Sequence, residues 1–319
     1  MVYRILGENI PHAWEEFKWT FYGEARDEDT RNGPVWTIPY PAMLEILNPR
    51  QRIMFDPQRD CNPFFHLMEF IWMMAGSKDL EWIKRFNKQM GAYSDDGRTL
   101  PANYGYRWRK HFGFDQIVRI MEQIREDPTT RRAVLSMWDP DNDMGNNGLD
   151  KPCNTQIYFR IIHGCLDMLV TNRSNDAIWG MFGTNAVHMT LLQELIALGT
   201  GLGIGTYRVA SNNLHVYKNL PNVDHIMQKA GPSSDYYKRF GYEGHPLILE
   251  GETAFDFLTD AENFVDRRAP RILKTVWFNA VATHMKEAYL DKPNRLKICR
   301  RIEAQDWKVA STQWAERHV

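Results

Sequence analysis

The sequence predicts an α+β fold on three observations. Residues 64–75 (FFHLMEFIWMMA) and 186–198 (AVHMTLLQELIAL) are apolar nearly all the way round, which reads as two buried helices. Ile162-His163-Gly164-Cys165 reads as a hairpin turn, with Gly164 free to take positive φ. It joins a strand opened by Cys153 to a return strand at 166–171 that alternates apolar and polar positions. Residues 206–212 read as a further strand, and its polar end, Asn213 to Tyr217, puts His215 and Tyr217 on one face. No repeat, low-complexity tract or linker interrupts the chain, so residues 1–319 are expected to form a single domain.

The remaining elements follow in order. Residues 1–30 are mixed, and the charged run 24–29 reads as a solvated loop. Thr30-Arg31-Asn32-Gly33 is a turn before a strand at 35–38. Gly76 closes the 64–75 helix, within which Glu69 is the sole acid. A lone buried carboxylate must be partnered, neutral or turned toward a polar cavity. Residues 80–90 predict a second helix and 91–102 a loop. Ile117, Val118, Ile120, Met121 and Ile124 share one face of a helix over 114–126, which Asp127-Pro128 ends. Arg131-Arg132 precede a strand at 133–138. The loop 139–150 (DPDNDMGNNGLD) lacks the last glutamate of a calcium-binding EF-hand, and no metal is expected. His188 reads as a core histidine, 199–205 as a break, and 247–257 as loop. A terminal helix carries Asp306, Trp307 and Trp314.

Composition narrows the function. Lys and Arg total 39 against 40 Asp and Glu, for a net charge of -1, which excludes a protein that coats nucleic acid. A small anionic substrate needs only a local arginine cluster. The four cysteines are scattered without a zinc spacing, which fits a reducing cytoplasm. The first residues lack the apolar core of a signal peptide, and no apolar run reaches the roughly eighteen residues of a membrane span.

One constellation carries chemistry. Pro152-Cys153, then Arg173-Ser174, Asp176, Gly180 and Asn185, and finally His215-Val216-Tyr217, resemble the thymidylate synthase family, which includes the pyrimidine nucleotide hydroxymethylases. The resemblance runs from about Arg31 to Tyr217. It implies a thymidylate synthase-like fold: a large twisted mixed sheet packed with helices, paired sheet to sheet in a homodimer. It implies catalytic roles for Cys153, Glu69, Tyr104, Asp176 and Asn185. It assigns the substrate to Arg31, Arg173, Ser174, Asn185, His215 and Tyr217, with Arg131 and Arg132 reaching the partner's phosphate. Asp176 and Tyr93 would meet 5,10-methylenetetrahydrofolate, the one-carbon donor.

The chemistry explains the residue types. C5 of a pyrimidine is a poor nucleophile until a thiolate adds at C6, so positive charge must favour the Cys153 thiolate, and Arg173 is the candidate. A carboxylic acid, Glu69, handles protons, and the Asn185 amide can read the base edge with donor and acceptor. Asn154 stands where the methylases carry histidine, which tilts the expected substrate toward dCMP over dUMP, with Asn185 pulling the other way. Residues 87–103 contain no tryptophan and the tail Ala315-Glu316-Arg317-His318-Val319 is polar, so a wet site and hydroxymethylation are expected. A true thymidylate synthase, and a catalytically silent nucleotide-binding protein, are the alternatives.

Overall fold

A computed structural model describes residues 1–145, 147–228, 234–266 and 272–318. Among the described residues ten strands are formed: β1 (Tyr3–Gly7), β2 (Arg26–Thr30), β3 (Gly33–Ile38), β4 (Ala42–Ile46), β5 (Val134–Ser136), β6 (Asn154–Ile162), β7 (Cys165–Asn172), β8 (Asn175–Asp176), β9 (Gly203–Ser211) and β10 (Leu214–Tyr217). Six make a mixed sheet in the order β1-β4-β9-β7-β6-β5, with β1–β4 and β7–β9 parallel and the other pairs antiparallel. A second sheet, β2-β3-β10-β8, was not anticipated from the sequence. The α+β class and the large mixed sheet are those expected.

The β6–β7 hairpin turns on His163 (φ 50°) and Gly164 (φ 76°). Two successive positive φ values make the primed turn that matches strand twist. Behind the sheet lies the Thr184–Gly199 helix, buried on nearly every side. Its Glu194, fully buried, holds Arg52 at 2.5 Å and Arg50 at 3.1 Å. The Pro63–Met74 helix packs against it, started by Pro63 and by Asn62, whose side chain accepts from Phe65 N–H.

Several expectations are corrected. The charged run 24–29 is not a loop: β2 spans Arg26–Thr30 with every residue exposed. An exposed outer strand paired along one edge to β3, with Asp27 also held by Lys218, needs no apolar alternation, so its sequence carried no strand signal. The helix at 80–90 shrinks to Leu80–Ile83 and a 3₁₀ turn at Lys88–Tyr93. Asn87 accepts from Gln89 N–H there and starts the new turn, the competition by which short polar side chains interrupt helices. The loop at 247–257 ends in the Ala254–Val265 helix, capped by Thr253. The β9 strand begins inside the break read at 199–205. Asn146 of the 139–150 loop and Val319 of the tail lie outside the described residues.

Candidate active site

The hairpin sets the thiol. Cys153 precedes β6, and Arg173 follows β7, so pairing of the two strands brings them opposite each other. Arg173 N–H donates to the Cys153 carbonyl at 2.9 Å. Its guanidinium then doubles back, donating from Nε to Pro152 O at 2.9 Å and from Nη2 to Lys151 O at 3.4 Å. The arginine therefore clamps the loop that carries the thiol while remaining exposed to solvent.

Cys153 opens on a cavity of about 520 Å³ shared with Glu69, Tyr93, Tyr104, Ser174, Asp176, Asn185 and Tyr217. Eight of the sequence-named residues thus meet in one space, from seven different segments. Glu69 comes from the Pro63–Met74 helix and Tyr104 from the short Tyr104–Tyr106 helix. These two elements touch backbone to backbone. A Cβ on Gly105 would sit 1.9 Å from Met73 O, so only glycine permits the approach.

Burial governs the protons. Glu69 keeps 14% of its side-chain surface, and burial pushes its carboxyl up to about 8. It is an acid at neutral pH, not a carboxylate. His188, 3.6 Å from Glu69 Oε2, is held down to about 3 by burial and is neutral. Its Nε2–H donates to His66 O at 3.0 Å. His188 is the core histidine the sequence suggested, yet it also lines the cavity. Burial raises the Cys153 thiol, Arg173 opposes that shift, and Asp176 adds to it. Burial likewise raises Tyr104, whose hydroxyl oxygen accepts from Asn154 N–H. Asp176 is pushed up to about 6 by burial, although its Oδ1 accepts from Ile178 and Trp179 N–H at 2.6 and 2.8 Å.

Other named residues stand apart from this cavity. His215 is buried and does not line it; Asn213 Oδ1 meets its Nδ1 at 2.7 Å, and its ring lies edge-on to Tyr217 at 4.9 Å. It braces Tyr217, which does reach the cavity. Arg31 is exposed at the β2–β3 turn, just beyond the Tyr217–Val35 pair. Arg131 and Arg132 are exposed ahead of β5 and line no part of this chain's cavity. Asn154 is buried away from the cavity, its Oδ1 without a partner.

The sequence missed three neighbours. Asp150 and Trp179 line the cavity. Arg59 lines a second cavity of about 810 Å³ that shares Phe65, Asn87, Gln89 and Trp179 with the first. Its guanidinium is buried 4.5 Å above the Trp14 ring and donates from Nη2 to Ile178 O, while Nε and Nη1 have no partner. None of these carries a local signal, because each depends on chain folded from elsewhere.

Comparison with known proteins follows the same outline. A family model described as thymidylate synthase matches residues 58–233. A deoxyuridylate hydroxymethyltransferase of Pseudomonas phage M6 is 38% identical over 341 aligned positions, covering 98% of this chain and 93% of that protein. One of the same name from Bacillus phage SP01 is 38% identical over 188 positions, covering 56% of this chain and 49% of that protein. The crystal structure of thymidylate synthase from T4 phage shares the fold with a TM-score of 0.55 at 21% identity, over 69% of this chain and 81% of that one. Among the described residues no helix is long and apolar enough to cross a membrane. With the family model spanning more than half of the sequence and one relative aligned along nearly all of it, the chain belongs to the thymidylate synthase family, enzymes that pass one carbon from methylenetetrahydrofolate to a pyrimidine nucleotide.

Proposed function

We propose that this chain hydroxymethylates C5 of dUMP. The observation that carries the reading is the meeting of the Cys153 thiol with a protonated Glu69 and the Asn185 amide on one cavity. The Cys153 thiolate adds to C6, and C5 then attacks the folate's one-carbon unit. Loss of the C5 proton and of tetrahydrofolate leaves an exocyclic methylene. Water adds to that methylene, and Cys153 departs as thiolate. The sequence is redox-neutral, and the folate leaves unoxidised. Glu69 supplies and accepts protons at the base, Tyr104 assists near C5, and Asn185 reads the base edge.

Two features support hydroxymethylation over methylation. The cavity wall from residues 87–103 is Asn87, Gln89, Met90, a half-exposed Tyr93, Leu100, Ala102 and Asn103, with no tryptophan among them to shut out water. Full-length similarity to a protein named deoxyuridylate hydroxymethyltransferase points the same way. For the base, dUMP replaces the dCMP favoured from Asn154, since that side chain lies away from the cavity and Asn185 faces it. The second cavity suits the folate: Arg59, buried with two unpartnered N–H groups, fits an anionic tail. Asp176 and Tyr93 would lie between folate and nucleotide. The nucleotide phosphate falls to Arg31, Arg173 and Ser174, joined in a homodimer by Arg131 of the partner subunit and Arg132 of the partner subunit. Four free thiols suit a cytoplasmic site of action.

Incubation with methylenetetrahydrofolate and dUMP or dCMP in ¹⁸O-water, read by mass spectrometry, tests the proposal. Labelled hydroxymethyl-dUMP with free tetrahydrofolate is expected. A methylated nucleotide with dihydrofolate overturns it, and preferential turnover of dCMP overturns the base assignment.

A further inference from the structure

Hydration of the exocyclic methylene needs a base for the attacking water, and most groups in the cavity are unsuited. Glu69 is protonated at neutral pH, Asp176 is already placed between folate and nucleotide in the proposal above, and the His188 ring is neutral with its Nε2–H on a carbonyl. One carboxylate of the cavity has no role so far. Asp150 lines it three residues before the nucleophile, half-buried.

We infer that Asp150 is the general base that takes the proton of the water attacking the exocyclic methylene. This rests on the hydroxymethylase reading above. The geometry is that of a fixed base. Asp150 Oδ2 accepts from Ala102 N–H at 2.6 Å, the one hydrogen bond the carboxylate makes among the described residues, so Oδ1 is left for water. Its backbone is anchored on both sides. Leu149 N–H donates to Asp95 Oδ1 at 2.9 Å, and Arg173 grips the carbonyls of Lys151 and Pro152. Base and thiol therefore sit on one short clamped segment, which fixes their separation. Burial pushes Asp150 up to about 6, with Asp95 and Asp143 adding and Arg107 opposing. Such a group is ionised at pH 7 and still basic enough to assist.

The step balances. The water oxygen bonds to the methylene carbon as its proton passes to Asp150. The electron pair of the carbon–carbon double bond moves into the ring as an enolate, then re-forms C5=C6 and expels the Cys153 thiolate. Asp150 returns its proton to solvent, and no oxidant or reductant enters.

The test follows the fate of the methylene. Wild type, Asp150→Asn and Asp150→Ser are assayed with C5-tritiated dUMP, methylenetetrahydrofolate and mercaptoethanol as a competing nucleophile. Asparagine keeps the acceptor for Ala102 N–H and removes only the base. The ratio of hydroxymethyl product to tritium released should fall at least tenfold, with a C5 thioether of mercaptoethanol taking its place. A loss of fold or of general activity lowers tritium release and product together and leaves that ratio alone. A ratio unchanged in the variants overturns the assignment of Asp150 while leaving hydroxymethylation standing. A methyl product from the wild type overturns both.

Discussion

Three single side chains are the sharpest levers on this molecule. Glu69 has an ordinary value of 4.5 and is pushed up to about 8, so the folded protein holds a proton there that the unfolded chain releases above pH 4.5. Stability from this group is therefore lost as pH rises from 4.5 to 8, and the whole penalty stands above 8. Glu69→Gln, which keeps shape and removes charge, should raise the melting temperature at pH 9 by a few degrees and leave it nearly unchanged at pH 4. Activity should move the other way. Removing a proton-transfer group should lower C5 tritium release by about 10²–10⁴-fold. It should also abolish a fall in kcat/KM above pH 8, and a Gln variant that retained that fall would acquit Glu69. Cys153→Ala should end turnover and leave nucleotide binding by calorimetry largely intact, because the proposed sugar and phosphate contacts do not involve the thiol. Any sustained product formation would remove the thiol from the mechanism. Asn185→Asp should turn the preference toward dCMP, whose amine donates where uracil accepts; an unaltered dCMP to dUMP ratio would mean other groups read the base.

At the level of elements, the site depends on how closely two helices approach. Met73 O and Cα lie 1.9 and 2.2 Å from where a Gly105 Cβ would fall, and both are backbone, which cannot swing aside. Gly105→Ala must push the Tyr104–Tyr106 turn off the helix that carries Glu69. Overpacking of this kind costs about 1–3 kcal/mol. Urea titration should show that loss, and kcat should fall more than nucleotide affinity; wild-type kcat in a folded variant would contradict the geometry. The same contrast shows what could be read from sequence. The buried helices at Pro63–Met74 and Thr184–Gly199 and the β6–β7 hairpin were visible, because apolar surface on all sides and a His-Gly turn are local properties. The second sheet was not: β2 is wholly exposed and β8 is two residues long. Within the site, Glu69 stands out as the lone acid of an apolar helix, while Cys153 is picked out by its company with Arg173, Ser174 and Asp176 in a family-like pattern. Asp150 and Arg59 do not, since their meaning comes from Ala102, Trp14 and Ile178, which lie far along the chain.

For the whole molecule, the question is whether one chain makes a complete site. Arg131 and Arg132 are solvent-exposed at the start of β5, the last strand of the six-stranded sheet, and neither lines the cavity that holds Cys153. Arg31 and Arg173 are exposed and do not line it either, so of the proposed phosphate-binding group only Ser174 faces the cavity within this chain. Fork-shaped guanidinium groups that serve no site of their own chain are well placed to serve a neighbour's. In a two-fold dimer what one subunit lends, the other lends back. Chains bearing Cys153→Ala and chains bearing Arg132→Ala should each be nearly inactive alone. After subunit exchange, a mixed dimer contains one site with both defects and one with neither, since the intact thiol then meets an intact arginine from its partner. Random pairing of equal amounts makes about half of all dimers mixed, each with one working site in two, so about a quarter of wild-type activity should return. Exchange is verified independently by native mass spectrometry of differently tagged chains. Mixed dimers without activity would mean that each chain completes its own site and that the two arginines act elsewhere.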